Sequence, residues 1–128
     1  VAGLVSADRS GGAGPASSGA SAATGLYLRY DSGIDGTAFW RAISCDGTNA
    51  TVTTTAASIG GGAVNYELRV EVNAANTSVA YYVNDTLVAT HTTNIPAGST
   101  QLGYQATVTT LTTAAKQIRV SRITVTQD

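Results

Sequence analysis

The chain has no methionine, one cysteine (Cys45), one histidine (His91), one tryptophan (Trp40), one phenylalanine (Phe39) and two prolines. Each scarcity excludes something. A single cysteine rules out a disulfide within the chain and any cysteine-cluster metal site. A single histidine rules out a zinc site built from several imidazoles. Charged residues make up 12% of the 128 residues, about half the usual ~25%. The seven Lys and Arg residues are scattered and the net charge is −1, so no basic patch suited to nucleic acid forms. No apolar run approaches the ~18–20 residues of a membrane helix. Neither nucleic acid nor membrane is therefore expected as a partner. With no initiator Met and no charged-then-apolar leader, a processed chain or a fragment is expected.

What is present points to strands. The 43% hydrophobic content is carried mainly by Ala and Val, which implies a thin core. Thr and Val suit a pleated, half-buried surface. The length fits one domain, 1–128. Gly, Ser and Ala fill residues 10–24 almost without bulk, and this stretch reads as a flexible surface loop.

Residues 25–31 read as a strand with Leu26, Leu28 and Tyr30 on one face and Tyr27, Arg29 and Asp31 on the other. Residues 31–36 form a turn cluster. The next strand, 37–45, alternates Trp40 and Ala42 against Phe39, Arg41, Ile43 and Cys45. Asp46-Gly47 ends it, and 49–55 reads as an exposed edge strand. Three glycines at 60–62 break the pattern. Residues 66–72 alternate most strictly: Tyr66, Leu68, Val70 and Val72 toward a core, Glu67, Arg69 and Glu71 toward solvent. After a turn at 73–77, strands at 78–83 and 86–91 flank Asn84-Asp85, a pair suited to a type I′ turn. Tyr81 is expected opposite Val88 and Tyr82 opposite Leu87, in a hairpin covered on both faces. Residues 101–107 and 115–125 complete the series, the last with a bulge near Ser121 or Arg122. The first strand starts at residue 1 with no visible partner. This spacing predicts an all-β antiparallel sandwich.

Two segments carry a family likeness. Tyr66-Glu-Leu-Arg-Val-Glu-Val-Asn, followed by Thr-Ser-Val-Ala-Tyr-Tyr-Val-Asn-Asp-Thr-Leu-Val-Ala-Thr, resembles concanavalin A-like and laminin G-like jelly rolls. Asp85 stands where Gly is usual in that hairpin. The opening Gly-Leu-Val-Ser, then Gly-Leu-Tyr-Leu-Arg-Tyr-Asp and Phe-Trp-Arg-Ala, looks like the middle strands of versions found in bacteriophage structural proteins. The likeness marks a fold and not a ligand site. Full domains of this kind carry earlier strands, so the resemblance implies a jelly roll that is incomplete or trimmed at its N-terminus, or one that a neighbouring chain completes.

Candidate chemistry is thin. Glycosidases on this fold use two carboxylates. Glu67 and Glu71 share a strand face, but their Cα atoms would lie ~13 Å apart, so a solvated charged face is the expectation. His91 has no Ser or Asp partner within local reach, and Cys45 reads as a small buried residue. Asp31, Asp35 and Asp46 flank glycine turns, where calcium could find oxygen ligands near Asp31 and Asp35; the spacing does not match an EF-hand, and turn preference is the better account. Tyr27, Arg29 and Asp31 with Trp40 could cradle a glycan, against Trp40 simply filling the core. Sequons occur at Asn49, Asn76 and Asn84.

No catalytic residue, metal or cofactor is expected, and no carbohydrate-binding residue is assigned. The expected role is a non-enzymatic structural or adhesion domain at a virion surface: a phage decoration, fibre or tail-associated protein. Its expected partners are further copies of itself and neighbouring virion proteins. The alternative is a lectin-like carbohydrate-binding module, secreted or on a bacterial cell surface, with cell-surface glycans as partners.

Overall fold

In a computed structural model, the structure describes residues 2–5, 24–30, 38–60, 64–106, 119–120, 122–124 and 126. The loop expected at about 10–24, the turn at 31–36 with Asp31 and Asp35, and most of the closing strand at 115–125 lie outside these residues. Those described from 119 onward are not in a strand.

The described elements are all β: β1 (Ala2–Val5), β2 (Gly25–Arg29), β3 (Phe39–Cys45), β4 (Ala50–Ser58), β5 (Leu68–Val72), β6 (Val79–Val83), β7 (Thr86–His91) and β8 (Gly103–Ala106). They form a five-stranded sheet of order β4-β3-β2-β1-β8 and a three-stranded sheet of order β5-β6-β7. Every pairing is antiparallel. The first strand does not lack a partner: β1 lies between β2 and β8. No sequence argument could see this, because β8 begins about a hundred residues later.

The two sheets pack face to face, sandwich-like. Leu26, Leu28 and Ala42 of the larger sheet meet Val79, Tyr81 and Val83 of the smaller. Trp40, Leu68, Val70 and Leu102 pack around this centre. Alternation places these side chains, since every second residue of a strand points to the same face. All of β2 is buried nonetheless: Tyr27, Arg29, Ile43 and Cys45 are also inaccessible, although they occupy the face turned away from the smaller sheet. A strand covered on both faces gives no polar alternation to read.

Two hairpin details differ from the local reading. Asn84 and Asp85 do form the tip, with φ of 50° and 59°. Tyr82 lies opposite Leu87 as expected, but Tyr81 faces Ala89, because Val88 is an extra residue in a bulge. The hairpin is also not covered on both faces, since β7 is a sheet edge and Leu87 is 54% exposed. In β5, Leu68 and Val70 reach the core, whereas Val72 is exposed at the strand end. Arg69 is half-buried instead of exposed, because its guanidinium lies 3.8 Å over the Tyr82 ring and pairs with Glu71 and Asp85.

Candidate functional site

Two features outside the apolar centre carry polar chemistry. The first closes one end of the gap between the sheets. Ser44 of β3 points inward and His91 ends β7, so the face-to-face packing brings together residues 47 apart in sequence. Ser44 Oγ donates to the Thr93 carbonyl at 3.0 Å. Its only proton is then used, so His91 Nδ1–H donates to Ser44 Oγ at 2.9 Å. The other nitrogen, Nε2, accepts from Thr53 Oγ1 at 2.9 Å. Burial lowers the His91 pKa below the ordinary imidazole value, which favours this neutral form. The Tyr81 ring lies 5.0 Å from the imidazole, and its hydroxyl donates to the Ile43 carbonyl across the gap at 2.8 Å.

Ser44 and His91 are the atoms of a nucleophile and its base, but in the reverse polarity. Nucleophilic activation needs an imidazole nitrogen that accepts the hydroxyl proton. Here the imidazole donates, and Ser44 has no accessible surface. The network therefore works as a clasp between the sheets. Thr51 extends it: Asn94 Nδ2 donates to Thr51 Oγ1 at 3.0 Å, and the Thr51 and Thr93 hydroxyls lie 2.7 Å apart. The sequence reading found none of this network, because the meeting of Ser44, Thr53 and Thr51 with His91, Thr93 and Asn94 depends on tertiary register.

The second feature is a cleft of about 440 Å³ at the other end of the same gap. Ala56, Ala57 and Ser58 of β4 form one wall, and Val83, Asn84, Thr86, Leu87 and Val88 form the other. Tyr66 lines it too, with its ring edge-on to Trp40 at 5.5 Å. Asn84 fixes the outer rim: its N–H donates to the Glu67 carbonyl at 2.8 Å, and its Oδ1 accepts from Glu67 N–H at 2.9 Å. Among the described residues, no carboxylate or imidazole lines the cleft. The described polar groups lining it are hydroxyls and an amide among apolar side chains, suited to hydrogen-bonding a neutral ligand.

The remaining candidates separate. Tyr27 and Arg29 are buried on the outer face of β2, whereas Trp40 packs inward, so they do not build one sugar-binding surface. Glu71 pairs with Arg69, and Glu67 is exposed at the rim, with no shared centre. The Asp46 carboxylate accepts the Asn49 and Thr48 N–H groups, both at 2.7 Å. These bonds lower its pKa and account for the residue as a turn former. Among the described residues, no three His, Cys, Asp or Glu side chains converge as a metal site. Two sequons are structurally committed: Asn76 Nδ2 donates to the Pro96 carbonyl, and Asn84 holds the hairpin. Comparison of the chain with known protein families, characterised proteins and solved structures found no match.

Proposed function

We propose that this domain is a non-enzymatic structural or adhesion module of a bacteriophage particle, a decoration, fibre or tail-associated protein built on a jelly roll. It acts at the virion surface, among copies of itself and neighbouring virion proteins. The observation that carries the reading is the imbalance between core and surface. The centre between the sheets is small, while Phe39, Val52, Val72, Leu87 and Tyr104 stand more than a third exposed. A chain with 12% charged residues has little to keep such a surface apart from other copies. Contacts between copies add stability by mass action. The resemblance of residues 3–6, 25–31 and 39–42 to the middle strands of phage jelly rolls supplies the particle context.

Immuno-electron microscopy of phage particles from the source culture, with antiserum against the purified domain, tests the reading. Regular labelling of shell or tail is the expected result. Unlabelled particles, together with saturable binding on a glycan array, would overturn it in favour of the lectin-like module. The cleft lined by Tyr66 supports that second reading, since an aromatic side chain beside hydroxyl and amide groups suits a sugar ring.

A further inference from the structure

We propose that the outer edge of β4 is a self-association site, where a second copy of this chain pairs antiparallel about a two-fold axis centred on Val52. The proposal rests on the multi-copy reading above and names the surface that would serve it.

The backbone fixes which groups are free. Asp46 N–H donates to the Asn49 carbonyl, and the Trp40 carbonyl accepts from Thr55 Oγ1. Even-numbered residues of β3 therefore aim their backbone groups at β4. With the register Ser44↔Thr51 and Ala42↔Thr53, these are the pairs that exchange hydrogen bonds. Ala50, Val52 and Thr54 then turn their N–H and C=O groups to the open side of the sheet, where no further strand lies among the described residues. A free edge of this kind is a template for another strand.

Four edges exist among the described strands, and three carry a recognised defence. Arg69 and Glu71 charge β5. Val88 bulges β7. The described β8 edge, Gly103–Ala106, is only four residues long. The run 50–54 of β4, Ala-Thr-Val-Thr-Thr, has no charge, proline or bulge. Irregularity begins only beyond Thr54, where three β4 residues oppose Trp40. The strand is also held rigid from within, through Thr51 to Asn94 and Thr53 to His91. A preorganised edge loses little freedom on pairing.

The occupant that fits is the same strand. An isologous contact places Val52 against Val52 of the second copy, and Ala50 against Thr54, twice. No charge within the segment opposes a like charge. About six backbone hydrogen bonds would form, and the net charge of −1 opposes association only weakly.

Light scattering after size-exclusion chromatography, from micromolar to near-millimolar protein, tests this. The native chain should dimerise. Val52→Lys and Val52→Glu each place like charges across the axis and should each weaken the dimer about tenfold or more. Mixing the two variants should restore it. Leu87→Lys, on the β7 edge, should leave the dimer intact. A native chain that stays monomeric throughout overturns the proposal, as does a Val52→Lys chain that associates as the native one does. Two monomeric variants that fail to complement each other overturn the two-fold register. Association that Val52→Lys leaves unchanged refutes this edge alone and keeps the multi-copy reading, which the particle labelling tests separately.

Discussion

Lowering the pH should weaken this domain through its one histidine. His91 is 3% exposed and hydrogen-bonded at both nitrogens. Burial holds its pKa below the ordinary 6.5. The unfolded chain therefore takes up a proton near pH 6.5 that the folded chain still refuses, and proton uptake by the unfolded state costs stability. Stability should be full above about pH 6.5, fall as the pH drops from there, and level off below the depressed folded value. One proton limits the slope to about 1.4 kcal/mol per pH unit. Carboxylates titrate near pH 4, so the decline just below pH 6.5 belongs to His91. Ser44→Ala supplies the geometric counterpart. It leaves His91 Nδ1–H without its acceptor and removes the shorter of two hydroxyl donors to the Thr93 carbonyl. A buried group left unsatisfied costs about 1–3 kcal/mol, a large share of a typical ~5–15 kcal/mol. Urea unfolding followed by Trp40 fluorescence, repeated across the pH range, measures both effects. His91→Gln should flatten the pH dependence. A native chain equally stable on both sides of pH 6.5, or a Ser44→Ala cost below about 0.5 kcal/mol, would refute the clasp.

Other outcomes follow from the same geometry. Asp85 has φ of 59° and meets Arg69 only at the surface. Asp85→Gly should thus be near neutral in denaturant midpoint, since relief at positive φ is offset by a freer unfolded chain. Asp85→Val should cost about 1 kcal/mol or more, because a β-branched residue resists that conformation. Cys45 is fully buried; its thiol should react with a thiol reagent only as fast as the domain opens, and rapid labelling of the native protein would contradict that. Leu28 has no exposed surface at the centre of the core, so Leu28→Ala should cost about 2–5 kcal/mol in urea unfolding.

Much of the local architecture was legible because its causes are local. Asn84-Asp85 and Asp46-Gly47 announce turns through their tolerance of unusual backbone angles, and both turns are present. The uncharged run after Asn49 reads as an edge strand, and β4 is one. Leu68 and Val70 reach the core that their alternation implies. The bulge at Val88 was hidden, because period-two alternation carries no mark for a single inserted residue between two apolar partners.

Tertiary structure alone decided the rest. Pairing between distant strands put β1 inside the larger sheet, and burial on the outer face of β2 and β3 enclosed Tyr27 and Arg29. Packing of the two sheets in one register joined Ser44 and Thr53 to His91, and set the hydroxyl proton on Thr93 so that the imidazole donates. Sequence periodicity determines which face a side chain takes within its strand. Which strand lies opposite, and therefore which polar groups meet, depends on contacts between residues dozens of positions apart, whose energies no local pattern encodes.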